Sequence, residues 1–324
     1  MTHTVEAHAR LHLGFLDPAA GENSRRFGGL GFALDRPQLR LKVAKGDGLT
    51  VEGPQADRVE AIAERVHRLL ELKPRLHIVV EEAIPEHVGL GSGTQQALAL
   101  ASAIARQRHL DASVARLSAL TGRARRSGVG FHLFRQGGFV VEGGHAAAGG
   151  STGGVPPLLA RHAIPETWRV IVALPQTDVR ISGEAEEEAF RRLRPADERT
   201  VDKIARAVLT GLLPALVERD LAAFGRALAE TQELVGACFA PVQEGVFHPA
   251  ATALVRALKK GGACGVGQSS WGPAVYAFAE DEREEERVAA LVRAADPRAL
   301  LLLTRPRNHG ALIDGEPVER TTTG

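Results

Sequence analysis

Residues 84–107 read IPEHVGLGSGTQQALALASAIARQ, a glycine-rich turn followed by a run rich in alanine and leucine. Gly89, Gly91 and Gly93 can adopt backbone angles that other residues avoid, and they let a ligand approach the main chain. From Thr94 onward the apolar residues recur at helical spacing. Because the first N–H groups of a helix lack intrahelical partners, the sequence predicts an anion site where this helix begins.

The spacing of this turn differs from those of two common phosphate-binding loops. No Gly-Lys-Ser/Thr follows the glycines, so the turn is not a Walker loop. No acidic residue ends a strand about 20 residues further on, which argues against a dinucleotide fingerprint. On the residues alone, a tight strand-to-helix turn without a ligand stays an alternative.

Composition excludes several classes of protein. The 324 residues include 40 basic and 39 acidic residues, whereas a dedicated nucleic-acid binder shows a basic excess. Cys238 and Cys264 are too few for a disulfide framework, and we expect both to be packed, reduced thiols. The N-terminus lacks a signal-peptide core, and no apolar run approaches the roughly 20 residues of a bilayer span. We therefore expect a soluble, cytoplasmic protein without nucleic-acid or membrane partners.

The apolar periodicity predicts an α+β chain. Residues 127–144 are interpreted as a glycine-broken loop feeding a strand hairpin, and residues 143–157 as a flexible loop or boundary. Asp57 is the expected N-cap of the first helix. The predicted strands cover residues 4–15, 38–44, 74–85, 168–175, 273–281 and 299–306. The predicted helices cover residues 57–70, 94–107, 112–124, 184–193, 196–216, 220–234, 248–263 and 282–295.

Three segments resemble the motifs of one superfamily. PEHVGLGSGTQQALALASA, residues 85–103, resembles the phosphate-binding motif of the GHMP superfamily of small-molecule kinases, whose usual form is Pro-x-x-x-Gly-Leu-Gly-Ser-Ser-Ala. ARLHLGFLD, residues 9–17, resembles its first motif, and GACGVGQSSWGPAVYAF, residues 262–278, resembles its glycine-rich closing loop. The resemblance implies a two-lobed α+β fold with the active site between an N-terminal lobe, residues 1–160, and a C-terminal lobe, residues 161–324.

Four shorter segments are similar to one branch, the β-ribofuranosylaminobenzene 5′-phosphate synthases. They are HVGLGSGTQ (87–95), RSGVGFHLFRQGGFVVEGG (126–144), ISGEAEEEAF (181–190) and GQSSWGP (267–273). The resemblance implies a decarboxylating phosphoribosyl transferase that joins phosphoribosyl pyrophosphate to 4-aminobenzoate or 4-hydroxybenzoate. Carbon dioxide and pyrophosphate leave, and the product enters tetrahydromethanopterin biosynthesis. It also implies a homodimer, and we expect Mg²⁺ to assist the departing pyrophosphate.

Two alternatives remain beside the synthase. Many GHMP kinases carry an aspartate in the pattern Ser-Gly-x-Asp, and Gly130 stands at that position here. Gly93 replaces the second serine of the phosphate motif. Both differences favour the synthase over an ATP-dependent kinase. A non-catalytic relative that binds a phosphorylated metabolite is the third interpretation, and turnover would exclude it.

The candidate site residues follow from the motifs and from the charges that the substrates carry. We expect catalytic roles for His87, Arg26 and Asp17, and a metal site at Ser92 and Asp17. Each of these assignments has a structural alternative. His12 could be a packed strand residue, His87 a loop residue and Arg126 a solvated charge. Trp271 could pack on the benzoate ring or fill a hinge. The predicted substrate-binding residues are Arg10, His12, Arg25, Gly89, Leu90, Gly91, Ser92, Gly93, Thr94, Gln95, Arg126, Gly267, Gln268, Ser269, Ser270 and Trp271.

Overall fold

The computed structural model describes residues 1–18, 25–146, 154–177 and 184–319. The strands are β1 (Thr2–Asp17), β2 (Arg25–Lys45), β3 (Leu49–Glu52), β4 (Leu76–Glu82), β5 (Phe139–Glu142), β6 (His145–Ala146), β7 (Leu158–His162), β8 (Arg169–Leu174), β9 (Cys264–Gln268), β10 (Val275–Ala279), β11 (Leu300–Thr304), β12 (Leu312–Ile313) and β13 (Glu316–Pro317). The helices are α1 (Ala56–Leu69), α2 (Ser92–Gln107), α3 (Val114–Leu120), α4 (Val129–Gln136), α5 (Glu184–Arg192), α6 (Glu198–Arg206), α7 (Leu213–Glu218), α8 (Leu221–Gln243), α9 (Pro249–Lys260) and α10 (Glu282–Ala295). A π-helical turn, Ala207–Leu212, joins α6 to α7.

The first sheet is built around β1 and β2, which pair antiparallel along most of their length. The hydrogen-bonded order is β13-β12-β1-β2-β4-β3, and β5, β6 and β7 extend it through β2 and β5. Helices α1, α2 and α4 cover this sheet. Strand β1 thereby places Arg10 and His12 beside the first turn of α2, at the edge of the site.

The second sheet has the order β11-β8-β10-β9 and is antiparallel throughout. Successive side chains of β10 face opposite sides, as the pleat requires. Val275 and Ala277 pack against α9 and α10. Tyr276 and Phe278 face the main core, which is shared with the first sheet. Both faces are therefore buried, which explains the uninterrupted apolar sequence of this strand.

Helix α8 joins the two sheets through a buried aromatic cluster. The Phe224 ring lies 5.1 Å from Trp168 and 5.3 Å from Phe278, and Phe278 lies 5.4 Å from Phe32 in β2. Contacts of this kind stabilise a core beyond the area they bury. Residue 160, the predicted lobe boundary, falls within β7, which pairs with β5 of the first sheet. The lobe boundaries themselves stay a prediction.

Several local predictions were wrong. Helix α2 begins at Ser92 rather than Thr94, with Gly91 as its N-cap. Gln55, not Asp57, occupies the N-cap position of α1, without a capping hydrogen bond from its side chain, and Asp57 lies in the first turn. The predicted loop at residues 127–144 contains helix α4, because residues 129–134 are all buried and pack on two sides. The glycines that flank this helix concealed it.

Other elements agree in part with the apolar patterns, although β2 begins at Arg25, well before the predicted strand at residues 38–44. Helix α10 occupies residues 282–295 as predicted, with the Asp281 side chain accepting from the Glu284 N–H. Helix α8 extends nine residues beyond the predicted end, to Gln243. Residues 147–153, within the predicted flexible loop, lie outside the described residues. Within the described parts of the chain, no helix combines the length and apolarity of a bilayer span.

Candidate active site

Three segments that are distant in sequence meet at Ser269, in the turn after β9. The Ser269 hydroxyl donates to the Gly89 carbonyl at 2.7 Å and accepts the His12 N–H at 3.0 Å. The N–H of Ser270 donates to the His12 carbonyl at 3.0 Å, and the N–H of Ala274 donates to the Val88 carbonyl at 3.1 Å. These bonds bring the N-terminal strand, the glycine turn and the closing loop together.

A cleft of about 590 Å³ opens beside this junction. Its walls come from β1, the turn before α2, the first turn of α2, the segment between α3 and α4, and the turn after β9. The lining is completed by Arg58 and Arg65 of α1 and by Glu186, Glu187 and Phe190 of α5. Its dimensions fit a substrate of sugar-phosphate size.

The glycine turn requires glycine at two positions. Gly89 has φ +90°, and a Cβ atom there would lie 2.4 Å from the Ser269 carbonyl oxygen. Gly91 has φ +77°, and its Cβ would lie 2.9 Å from the Arg10 side chain. The turn thus leaves the first N–H groups of α2 beside the cleft, where the positive end of the helix dipole favours an anion.

Arg10 supports the turn from below. Its Nη1 donates to the Gly89 carbonyl at 2.6 Å, and its backbone N–H donates to the Leu90 carbonyl at 3.1 Å. Its Nε is buried and has no hydrogen-bond partner among the described residues. Burial lowers the pKa of Arg10 to about 10, and nearby Glu186 opposes this shift. Arg10 therefore remains a cation and adds positive charge to the floor of the cleft.

His12, Ser127 and Glu142 form a hydrogen-bonded chain that runs from the wall of the cleft into the interior. The His12 Nδ1 accepts the Gly14 N–H at 3.3 Å, so the Nε2–H donates to the Ser127 hydroxyl at 3.0 Å. Ser127 in turn donates to Glu142 Oε1 at 3.3 Å. Burial, together with Arg10, lowers the pKa of His12 to about 3. His12 is therefore neutral at physiological pH and binds through polarity rather than charge.

Glu142 is fully buried, and burial raises its pKa to about 7. Backbone N–H groups of Gly144 and Gly128 donate to it at 2.6 Å and 3.1 Å and oppose that shift, as does the Ser127 hydroxyl. The carboxyl group holds Ser127 and the start of α4 in place. Sequence reasoning missed Glu142, although a glutamate that ends a buried strand was a usable signal.

Three arginines, Arg58, Arg65 and Arg123, form a cluster in the wall of the cleft. A Cβ atom on Gly93 would lie 3.2 Å from Arg58 Nη2 and 3.5 Å from Arg123 Nη1, so both guanidinium groups face the first turn of α2. Arg65 lies seven residues after Arg58 on the same helix and lines the same cleft. Burial lowers the pKa of Arg123, the neighbouring charges of Arg65 and Arg58 lower it further, and Glu186 opposes the shift.

A wall of aromatic side chains lines another part of the cleft. Trp271 lies 5.2 Å from Phe190 and 4.9 Å from Phe239, with both pairs in edge-to-face geometry. The Arg126 guanidinium lies 4.7 Å from the Phe190 ring centre and 3.7 Å from Glu186. Trp271 also borders a small apolar cavity behind the wall, together with His12 and Phe15. An aromatic ligand would therefore meet aromatic faces and a guanidinium at this side.

The structure brings many of the predicted site residues to the cleft. His87, which has a left-handed backbone and is about 40% exposed, lies at the rim. Arg126, for which a solvated charge was the alternative, lines the cleft and is about 31% exposed, and its contact with a ligand stays a prediction. The predicted residues that line it are Arg10, His12, His87, Gly89, Leu90, Gly91, Ser92, Gly93, Thr94, Arg126, Ser270 and Trp271.

Other predicted residues support the site from outside the cleft. The Gln95 amide donates to the Gly130 carbonyl at 3.0 Å, and Gln268 donates to the Ser270 carbonyl at 2.9 Å. Arg25 donates to the carbonyls of Gly143 and Gly144. The predicted residues that do not line the cleft are Asp17, Arg25, Arg26, Gln95, Gly267, Gln268 and Ser269.

Arg26 and Asp17 lie near the same end of the molecule but not in the cleft. Arg26 lines a neighbouring cavity of about 550 Å³, which shares Arg126, Glu187 and Phe190 with the cleft. Asp17 ends β1. Burial raises the pKa of the Cys238 thiol, and the nearby charge of Asp17 raises it further. Their predicted catalytic roles stay predictions.

Gly130, in the first turn of α4, lines the cleft opposite the glycine turn. A Cβ atom there would lie 3.1 Å from Thr94 Cγ2, closer than ordinary packing allows. A side chain at this position would require the Thr94 methyl group to shift by a few tenths of an ångström. Gly130 itself supplies no carboxylate to the cleft.

The oxygen atoms that line the cleft fit a Mg²⁺ ion that is coordinated mainly by the phosphate oxygens of a bound substrate. Ser92 offers a hydroxyl, and Glu186 and Glu187 offer carboxylates along the same cleft. No group of three or more histidine, cysteine, aspartate or glutamate side chains within the described residues could hold a metal by itself. Mg²⁺ commonly takes one or two protein ligands together with phosphate oxygens and water.

Comparison with known proteins defines the class first. Residues 57–136 match the GHMP kinases N terminal domain, and residues 212–297 match the GHMP kinases C terminal domain. The solved homoserine kinase from Cytophaga hutchinsonii is similar, with a TM-score of 0.69 at 17% identity over 96% of this chain and 97% of that one. The two-lobed α+β fold predicted from the sequence is confirmed.

Curated relatives define the branch. The β-ribofuranosylphenol 5′-phosphate synthase of Methanothermobacter thermautotrophicus is 30% identical over 95% of this chain and 98% of its own length. The synthase of the same description from Methanocaldococcus jannaschii is 27% identical over 95% and 99%. The chain belongs to this synthase family within the GHMP kinases, and it is an enzyme of that family.

Proposed function

We propose that the chain catalyses the decarboxylating transfer of a phosphoribosyl group from phosphoribosyl pyrophosphate to a 4-substituted benzoate. The observation that carries the proposal is a single cleft that combines an anion-binding helix start, an arginine cluster and an aromatic wall. The donor needs the first two features, and the benzoate ring needs the third. The names of the curated relatives support the same reaction.

The chemistry balances without a further reactant. The bond between C1 of the ribose and the pyrophosphate oxygen breaks, and pyrophosphate leaves with the electron pair. The ring carbon that bears the carboxylate bonds to C1, which interrupts the aromatic system. Loss of carbon dioxide then returns its electron pair to the ring and restores aromaticity. Positioning and charge stabilisation are the main demands on the protein.

The described residues meet these demands in separate parts of the cleft. The first turn of α2, with Ser92 and Thr94, binds phosphate oxygens through backbone N–H and hydroxyl groups. The side chains of Trp271 and Phe190 pack against the benzoate and exclude water from the cation-like sugar. Arg126, over the Phe190 ring, is placed to bind the carboxylate before it leaves.

A bound Mg²⁺ would neutralise charge on the departing pyrophosphate. Ser92, Glu186 and Glu187 are the cleft residues that would hold it. Asp17 is a predicted metal ligand that does not line the cleft. The synthase route assigns no proton transfer to His12, which is consistent with its neutral state in the buried chain.

The acceptor we propose is 4-hydroxybenzoate, with 4-aminobenzoate as the alternative. The curated relatives are named for a ribofuranosylphenol, and a phenol is what 4-hydroxybenzoate yields after decarboxylation. Tetrahydromethanopterin biosynthesis and a homodimer are further proposals, which rest on the family resemblance. An ATP-dependent kinase is disfavoured because Gly130 offers no carboxylate at the position where many GHMP kinases carry an aspartate.

A single-turnover assay tests the reaction directly. Carboxyl-labelled 4-hydroxybenzoate is mixed with the enzyme, phosphoribosyl pyrophosphate and magnesium, and labelled carbon dioxide is collected. We expect release that requires the donor and that is lost when Ser92 and Thr94 are both replaced by alanine. A parallel reaction with labelled 4-aminobenzoate decides between the acceptors. No donor-dependent release from either benzoate, by folded protein, would refute the proposal.

A further inference from the structure

The cleft contains an arginine cluster that no motif of the family resemblance includes. Arg58 and Arg65 lie on α1, about 30 residues before the glycine turn, and Arg123 lies just after α3. The distances from Gly93 place the Arg58 and Arg123 guanidinium groups over the second residue of α2. Arg65, two helical turns after Arg58, extends the cluster along the cleft wall.

The positive charge of this cluster is only partly compensated. Glu86 forms an ion pair with Arg58 at 2.8 Å. Arg65 and Arg123 have no ion pair with any residue in the described parts of the chain, and the Arg123 Nε is buried without a hydrogen-bond partner. Like charges held together in a partly desolvated wall repel each other. An anion bound among them would relieve that repulsion and supply the missing acceptors.

One carboxylate, Glu186, acts on arginines in several parts of the cleft. It lies 3.7 Å from Arg126, and its charge also opposes the lowering of the pKa values of Arg10 and Arg123. Arg126 lies against the aromatic wall, where the proposed function puts the benzoate. The cluster has three arginines and, within the described residues, a single ion pair, so it keeps an excess of positive charge beside the positive end of the α2 dipole.

We propose that Arg58, Arg65 and Arg123 form the subsite for the pyrophosphate end of the donor. The inference rests on the proposed function and specifies the orientation of its substrate. Pyrophosphate carries more negative charge than a phosphate monoester, so it matches the excess of positive charge at the cluster. The 5′-phosphate then lies outside the cluster, and C1 of the ribose points toward the aromatic wall. After transfer, the same three arginines hold the released pyrophosphate.

Calorimetric titration with two simple probes tests this orientation. Inorganic pyrophosphate and ribose 5-phosphate are titrated separately, with magnesium present, into the wild-type enzyme and into the Arg123→Gln and Arg65→Gln variants. We expect each variant to lose about tenfold to a hundredfold in pyrophosphate affinity, since one charge-assisted hydrogen bond is removed. Ribose 5-phosphate affinity should change less than about twofold, because its phosphate contacts other groups.

Arg68→Gln is the matched control, since Arg68 is an exposed residue on the same helix that does not line the cleft. It should leave both affinities unchanged. Arg65 is also exposed, so its variant keeps the test valid if Arg123→Gln fails to fold. Equal or greater loss of ribose 5-phosphate affinity, unchanged pyrophosphate affinity, or no binding of pyrophosphate by the wild-type enzyme would overturn the inference. Neither probe requires turnover, so failure of the synthase assay would remain a separate result.

Discussion

Replacing Glu142 with glutamine should flatten the dependence of stability on pH between about pH 4.5 and pH 7. Glu142 is fully buried at the end of β5, and burial raises its pKa from 4.5 to about 7. Between these two values the native carboxyl group keeps its proton, whereas the unfolded chain has released it. The native state therefore binds more protons, and stability that is present below pH 4.5 is lost as the pH rises through about 7.

The magnitude follows from the two pKa values. Each pH unit between them corresponds to about 1.4 kcal/mol, so the interval from 4.5 to about 7 corresponds to about 3.5 kcal/mol. Glutamine cannot ionise, so the variant lacks this dependence. It also cannot accept both the Gly128 and the Gly144 N–H, which lowers its stability by about 1–3 kcal/mol at every pH.

The measurement is urea unfolding at half-unit steps of pH for the wild type and for Glu142→Gln. The buried histidines His8, His12 and His132 have lowered pKa values, and they change stability in the opposite direction at the acid end. The difference between the two curves is therefore the observable. Glu64→Gln, at an exposed glutamate of α1, should reproduce the wild-type curve. A Glu142→Gln curve parallel to the wild type would refute the assignment of a raised pKa.

Two further substitutions test the geometry of the site and of the core. Gly89→Ala should abolish pyrophosphate binding and carbon dioxide release, because φ is +90° and the new Cβ would lie 2.4 Å from the Ser269 carbonyl oxygen. Titration and the labelled assay measure both losses, and a variant with unchanged affinity would contradict the tight-turn argument. Trp168→Ala should lower the free energy of unfolding by about 3–5 kcal/mol, because its ring packs on Phe224 and Phe278 in the shared core. Urea unfolding measures this free energy, and a decrease of less than about 1 kcal/mol would show that the packing of the two sheets does not depend on this contact.

The elements that the sequence predicts well are those whose signals are local. Helix α10 has an Asp281 cap and a regular apolar period, so both of its ends are determined by neighbouring residues. The glycine turn and the start of α2 carry the anion-site signal within a few residues. Helix α4 was missed because glycines flank it and because its eight residues give only about two turns of apolar pattern.

The parts of the site that escaped prediction depend on tertiary packing. Arg58 and Arg65 lie on the exposed-looking face of an ordinary amphipathic helix, and only the packing of α1 against α2 brings them to the cleft. Glu142 and Ser127 form their hydrogen bond only after β5 and α4 are in place. Ser269 is the converse case. Its motif predicted contact with the substrate, but its hydroxyl donates to the Gly89 carbonyl and it does not line the cleft.

The most direct test of the proposed chemistry is the stoichiometry of the two small products. Wild-type enzyme is incubated with phosphoribosyl pyrophosphate, 4-hydroxybenzoate and magnesium, without ATP. Phosphorus NMR follows pyrophosphate, and carbon dioxide is collected from the same sample. The account predicts one pyrophosphate and one carbon dioxide for each benzoate consumed, with no dependence on ATP. Pyrophosphate released without carbon dioxide, or benzoate consumed only when ATP is added, would contradict it.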